Sequence, residues 1–235
     1  MTIRIIDIET TGDNPETDAI VEIASVDAMP SAKPKRPVSR LVNPCIPIPP
    51  LSSAIHHIVD AHVIHCPTID QVIDQFVGAD IYVAHNAPFE SGFLAKHLGA
   101  VKWLCTYRCA LRLFPDLPKH SNQALRYLLG YPRPFDLSPE ELTPHRALPD
   151  CYVTAAVLIE VLRAADEQDV SFGELMAWSK EPPLLQTFGF GKHKGTKWRD
   201  APADYLEWII AKSDLDADTK WNARHWLAEK AKVAA

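Results

Sequence analysis

Ile3-Arg4-Ile5-Ile6-Asp7-Ile8-Glu9-Thr10-Thr11-Gly12 is the stretch on which the fold turns. Its β-branched apolar residues read as a strand. Asp7 and Glu9 lie two apart, so both carboxylates leave the same face of that strand. Acids inside an apolar, central strand are costly unless something compensates their charge. A divalent cation does so, because hard oxygen ligands suit Mg²⁺ or Mn²⁺. An edge strand with two solvated acids would show the same Asp-x-Glu, so this dyad alone leaves both readings open.

Working outward, Ala19–Val26 and Val38–Val42 read as further strands and Pro44–Pro50 as a proline-rich connection. Thr68–Phe76 has helical spacing with Thr68 as a cap. A short strand at Asp80–Ala84 runs into His85-Asn86. A helix over Pro88–Leu98, a strand over Val101–Cys105 and helices over Thr106–Leu113 and Asn122–Leu129 complete the middle. The longest helix is expected over Pro149–Ala165. Antiparallel strands followed by alternating strands and helices predict a mixed α/β layer fold.

Composition changes after Lys180. Residues 168–185 read as a linker or helix containing Glu181-Pro182-Pro183, and residues 186–235 as a small, α-rich accessory module. In the module Thr187–Trp198 sets glycines and lysines among aromatics, and short amphipathic helices follow near Ala203–Ala211 and Ala217–Lys230. At about 50 residues this unit is near the lower limit for independent folding and is expected to dock on the main domain. Most of Trp198, Trp208, Trp221 and Trp226 should form its core, with one left to stack on a base. The glycines and lysines from Phe190 to Arg199 suit a phosphate as well as they suit a plain turn.

Two more acids stand near prolines. Glu90 follows Pro88 by two residues and Asp150 directly follows Pro149, which places each in the first turn of a helix. Each heads an apolar stripe: Phe93, Leu94 and Leu98 after Glu90, Val153, Val157 and Val161 after Asp150. First-turn acids are also what capping and the helix dipole favour. His145 lies in the loop before Asp150, where a histidine can take a proton from water near neutral pH. By itself it reads equally as a surface histidine.

The segments Ile6–Gly12, Val83-Ala84-His85-Asn86-Ala87-Pro88-Phe89-Glu90 and His145-Arg146-Ala147-Leu148-Pro149-Asp150 occur in that order. Together they resemble the DEDD superfamily of 3′→5′ exonucleases in its histidine-bearing (DEDDh, DnaQ-like) branch. The resemblance implies an RNase H-like fold, a mixed central sheet flanked by helices, over residues 1–167. Val21–Asp27, Ala54–Ile58 and Asp150-Cys151-Tyr152 carry it further, toward the exodeoxyribonucleases of that branch, and Thr187–Lys192 extends it past the core.

By that resemblance Asp7, Glu9 and Asp150 hold a first Mg²⁺ or Mn²⁺, Asp7 and Glu90 attend a second, and His145 is the general base. Thr10, Thr11, His56, Ile58 and Asn86 bind the 3′-terminal nucleotide. The family has Asp where this chain has Glu90, and the extra methylene is expected to be absorbed by displacing a water. The implied reaction is metal-dependent release of 5′-mononucleotides from single-stranded or duplex DNA 3′ ends, in repair or proofreading. RNA trimming and an impaired core that serves as a binding module are the alternatives. A homodimer is compatible with the resemblance.

The bulk numbers agree. Hydrophobic residues make up 47% and charged residues 23%, as in ordinary globular proteins. No stretch approaches the roughly 20 apolar residues of a membrane span. Charges interrupt the apolar run at the N-terminus, so no leader is expected there. Five scattered cysteines without a CxxC pair favour a reducing, cytoplasmic setting, with Cys105 and Cys109 as core thiols. His56, His57, His62, His65 and Cys66 match no common zinc spacing. The net charge of −6 divides unevenly: residues 186–235 hold nine basic and seven acidic residues, the remainder fifteen and twenty-three. An acidic main domain suits carboxylates that reach phosphate through cations.

Overall fold

The apolar run at the start of the chain forms β1 (Ile3–Thr10), which sits in the middle of a five-stranded sheet. This is a computed structural model that describes residues 1–29, 32–211 and 214–234. β2 (Ile20–Asp27) pairs antiparallel with β1 and β3 (Lys35–Leu41) antiparallel with β2. Helices α1 (Pro50–His56), α2 (Asp60–Val63) and α3 (Ile69–Val72) follow. β4 (Ile81–Ala84) then joins the other side of β1 in parallel, pairing with Ile3 to Ile5. α4 (Ala87–Leu98) and β5 (Trp103–Cys105) complete the sheet in the order β3-β2-β1-β4-β5. α5 (Thr106–Leu113), α6 (Asn122–Leu128), α7 (Ala147–Glu167) and α8 (Phe172–Trp178) come next, then α9 (Ala203–Ala211) and α10 (Ala217–Ala234).

Alternation along β1 divides the core. Ile5 packs with Ala24, Val83, Val153, Val157 and Val161 beneath α7. Ile6 and Ile8 face the opposite layer with Phe76, Tyr82, Phe93 and Leu94. Asp7 and Glu9 continue the Ile5 side, toward the end where α7 begins. β4 pairs no further along β1 than Ile5, so the acidic half of β1 extends past it. This crevice beyond the carboxyl ends of parallel strands is where open α/β sheets bind ligands.

Several expected elements differ in extent. The helix expected over Thr68–Phe76 is one α-turn followed by a 3₁₀ turn at Ile73–Gln75, which still buries Val72, Ile73 and Phe76. β5 is two residues shorter than the expected strand and β3 starts three residues earlier. α1 occupies the end of the proline-rich stretch, because Pro50 fits the first helical position. α7 begins at Ala147, so Pro149 is its third residue and Asp150 its fourth. The first i→i−4 bond runs from the Asp150 N–H to the Arg146 carbonyl, 3.0 Å, so the proline falls where no N–H is needed. Within residues 168–185, α8 is set by a capping box: the Ser171 N–H meets the Glu174 carboxylate at 2.9 Å. No helix among the described residues is long and apolar enough to cross a membrane.

The C-terminal module packs Phe188, Trp198, Leu206, Ile209 and Ala223. Trp198 is fully buried, Trp226 packs against this core, Trp221 is half-buried and Trp208 is 50% exposed. The core thus takes two of the four tryptophans rather than most of them. The other two sit at surfaces: Trp221 faces the Arg112 guanidinium, 5.8 Å from its ring centre. Arg112, on α5, also donates to the Glu181 carboxylate at 2.8 Å and lies over Trp178 at 5.7 Å. This one side chain ties α5, α8, the linker and α10 together. Arg112→Ala is expected to destabilise the protein by about 1–3 kcal/mol and to speed proteolytic cleavage within 181–185, read by thermal melt and limited digestion. An unchanged cleavage rate would show that the module docks without it.

Candidate active site

β1 carries Asp7 and Glu9, the first turn of α4 carries Glu90, and the loop into α7 carries His145 ahead of Asp150. These five line a single open cleft of about 310 Å³, together with His85, Phe89, Ser121, Asn122 and Gln123. Carboxylate oxygens of Asp7, Glu9 and Asp150 lie within 4.8 Å of one another. Glu90 lines the same cleft outside that trio, and its Oε2 is buried without a hydrogen-bond partner.

At such separations an ionised pair repels by about 3 kcal/mol at an effective dielectric near 20. A fully ionised trio approaches the whole stability of a domain, about 5–15 kcal/mol. Protonation relieves it. Burial, followed by the charges of Asp150, Glu90 and Glu9, holds Asp7 well above the usual carboxylate range. Burial and then Asp150 raise Glu9 to about 8, and burial and then Glu9 raise Glu90 to about 8. Asp150 is also raised by burial, although two donors oppose the shift. A cluster of close, protonation-prone oxygens with one buried oxygen unpartnered fits hard divalent cations, which replace protons as the counter-charge.

Those two donors aim Asp150. Gln123 donates to Oδ1 at 2.6 Å, and the His145 backbone N–H donates to Oδ2 at 3.0 Å. Arg126, almost fully buried, donates in turn to Gln123 Oε1 at 3.2 Å. His145 adopts φ +57°, which turns its N–H back toward Asp150 while the imidazole faces solvent at the cleft mouth. Arg146 beside it forms a two-pronged ion pair with Glu22, at 2.9 and 2.8 Å, and the Ala147 N–H donates to the same carboxylate at 3.1 Å. Glu22 is buried on β2 directly opposite Glu9. The loop that bears His145 is therefore clamped to the sheet at the strand pair that bears Glu9.

Thr10, Thr11, His56, Ile58 and Asn86 lie outside the walls of this cleft. The Thr10 hydroxyl donates to the Gly12 carbonyl at 2.6 Å, and the Thr11 hydroxyl donates to Asp18 at 3.2 Å. His56 is buried at the end of α1, where its Nδ1 accepts the Ile58 N–H at 3.0 Å, and Ile58 packs with Val21, Ile48 and Val63. Asn86 is exposed at φ +90° just before α4. Sequence reasoning assigned no role to His85, Gln123 or the Glu22–Arg146 pair. His85 is kept neutral by burial, its pKa lowered to about 4; its Nε2–H donates to the His120 carbonyl at 2.8 Å and its Nδ1 meets the Thr106 hydroxyl at 2.9 Å. Glu22 within the apolar Ile20–Val26 run was the one legible signal, an acid on a strand otherwise built for burial.

Residues 5–158 match a family model described as exonuclease. The chain is 38% identical over 230 residues to Exodeoxyribonuclease 10 of Escherichia coli strain K12, covering 96% of this chain and 98% of that protein. Among solved structures it is similar to Exonuclease X in complex with 5′ overhanging duplex DNA, at TM-score 0.61 and 38% identity, over 75% of this chain and 99% of that one. E. coli Exonuclease I in complex with a dA16 oligonucleotide aligns at TM-score 0.57 and 15% identity over 75% of this chain and 42% of that one, a likeness of fold alone.

Two outcomes follow from the electrostatics and the clamp. Each acid of the cluster has a folded-state pKa above its unfolded value, so metal-free protein loses stability as pH rises from about 4 toward 8. Asp7→Asn should therefore raise the melting temperature in EDTA at pH 8, by less at pH 5, and should abolish the rise that Mg²⁺ gives the native protein. Equal melting temperatures at pH 8 would contradict the repulsion. Glu22→Gln should lower kcat about tenfold or more with little change in KM, because the clamp positions His145 rather than substrate; a change confined to KM would place Glu22 in substrate binding instead.

Proposed function

The chain belongs to the RNase T-type exonuclease family, and from that premise we propose that it is a 3′→5′ exodeoxyribonuclease that releases 5′-mononucleotides from DNA. Members of this family use divalent metal ions. The observation that carries the reading is the carboxylate trio meeting, through Asp150, the loop that presents His145.

In this reading Asp7, Glu9 and Asp150 hold one Mg²⁺ or Mn²⁺, and Glu90, with Asp7, holds a second. Bound ions supply Lewis acidity toward the phosphate and lower the pKa of water. His145 accepts the proton of the attacking water as its oxygen bonds to phosphorus. The bond from phosphorus to the 3′ oxygen of the penultimate nucleotide breaks, and that oxygen takes a proton from solvent to become a new 3′ hydroxyl. An exposed imidazole on a clamped loop suits that role, since it can shed its proton to solvent after each turnover. Gln123 and the His145 N–H fix the direction of the Asp150 carboxylate throughout. The terminal nucleotide is assigned to Thr10, Thr11, His56, Ile58 and Asn86, which lie beside the cleft rather than in its walls. The Thr11 N–H and carbonyl are themselves engaged by Ala19 and Ser52, so contact there would fall to its neighbours. The DNA complex of the relative at 38% identity favours DNA as substrate.

Incubation with 5′-labelled single-stranded DNA, duplex DNA and RNA tests this, with Mg²⁺, Mn²⁺ or EDTA. A metal-dependent ladder that shortens from the 3′ end, faster on DNA than on RNA and absent from Asp7→Ala, is expected. His145→Ala should lose at least a hundredfold in kcat while it keeps metal-induced stabilisation. Glu90→Asp should change the rate by less than a hundredfold. A larger gain would mean that this site does not accommodate the longer acid.

A further inference from the structure

The catalytic cleft does not end at Asp150. Ser121, one of its wall residues, also lines a second cleft of about 460 Å³ between the main domain and the C-terminal module. Lys119 and His120 border this second cleft on one side and Gln186, Thr187 and Lys197 on the other. Thr187 and Lys197 are bridged to each other, so the cleft's far wall is the base of a hairpin whose intervening residues include Gly191-Lys192-His193-Lys194-Gly195. The hairpin reaches a third hollow, of about 590 Å³, lined by Gly191, Lys192, Asp204, Tyr205 and Trp208. From Lys197 to Lys192 is at most about 17 Å of extended chain.

The chemistry of that hollow is specific. Tyr205 and Trp208, one turn apart on α9, are nearly parallel, with ring centres 5.5 Å apart and planes 14° apart. Lys192 Nζ stands 4.9 Å from the Tyr205 ring centre. Gly191 adopts φ +64°, and a Cβ there would come within 2.8 Å of the Tyr205 hydroxyl, so only glycine brings the lysine loop this close to the rings. The module's core is complete in Phe188, Trp198, Leu206 and Ile209, and Trp208 is half exposed. Asp204 accepts the Tyr205 N–H at 2.8 Å. Lys197 is paired with Asp116 at 2.7 Å, whereas Lys119, Lys192 and Lys194 are exposed and form no ion pair among the described residues.

We propose that the module holds the unpaired part of the substrate strand behind the 3′ end. The strand passes from the catalytic cleft over Ser121 and Lys119 to a platform where a base stacks on Trp208 and phosphates meet Lys192 and Lys194. The proposal rests on the nuclease reading above for the direction of the strand. Aromatic faces accept any unpaired base, and lysines read phosphate without sequence, so the occupant is single-stranded polynucleotide of any sequence. A base in the interior of a duplex is stacked on both sides and has no free face to offer such a platform.

The test uses the full chain. Binding of a 5′-fluorescein 20-nucleotide single strand and of a blunt duplex is measured in EDTA by anisotropy across a salt series, for native protein, Lys192→Gln/Lys194→Gln, Lys119→Gln and Trp208→Ala, with a melt on each. We expect Kd for the single strand to rise about tenfold in the double-lysine variant and in Trp208→Ala. The salt slope should become shallower by about 0.7 for each lysine neutralised. The ratio of kcat/KM for the 20-mer to that for a dinucleotide should fall about tenfold. Unchanged single-strand affinity in the double-lysine variant, whose exposed side chains put folding at little risk, would overturn the proposal. An equal loss for blunt duplex would overturn the stacking of unpaired bases. Failure of native protein to cleave the 20-mer with Mg²⁺ or Mn²⁺ would count against the nuclease reading alone, because the binding series judges the module independently.

Discussion

Repulsion among the buried acids of one cleft is the constraint around which this protein is arranged. Asp7, Glu9 and Asp150 bring oxygens within 4.8 Å, and Glu90 shares the cleft with an unpartnered oxygen. Nothing in a strand or a helix makes such a cluster stable by itself. It persists because the acids are fixed from behind: β1 is paired with β2 along Asp7 and Glu9, α7 is packed against the sheet, and Gln123 and the His145 N–H occupy both oxygens of Asp150. The same repulsion that disfavours three ionised acids at this spacing is what a bound cation would relieve.

A second acid, Glu22, is treated in the opposite way. It is as buried as Glu90 and faces Glu9 across the sheet, yet it receives Arg146 and a backbone N–H. A charge that is fully paired holds structure, whereas a charge left short of partners is available to a ligand. The contrast separates the residue that clamps the His145 loop to the sheet from the acids that line the cleft. A like contrast orders the surface of the module, where Lys197 is tied to Asp116 and Lys192 rests against Tyr205 with its ammonium open to solvent.

Much of this was legible in the chain. Alternation in Ile3–Thr10 fixed which faces Asp7 and Glu9 and Ile6 and Ile8 take, because the side-chain period of a strand is two. Prolines 88 and 149 located two helix starts to within a turn, because a residue without an N–H is tolerated there. What escaped notice had no local pattern. Gln123 is an ordinary polar residue near a helix start, and its bond to Asp150 spans 27 positions; Arg146 and Glu22 are 124 apart. The short helix at Pro50–His56 and the brevity of α3 likewise depend on what they pack against, since one-turn helices gain little from propensity alone.

The sequence by itself determined the sheet's apolar skeleton, the order of the acidic motifs, the exonuclease family and the existence of a glycine-, lysine- and tryptophan-rich module. The skeleton and the module are statements about periodicity and residue type, which neighbouring positions encode, and the family came from the resemblance carried by three ordered motifs. Only the tertiary structure decided that four acids from three elements share one cleft, that the His145 loop is held by a pair formed across the sheet, and that a second cleft continues from the first along the module. Such juxtapositions follow from how layers pack, and packing is set by the whole core at once rather than by any segment of the chain.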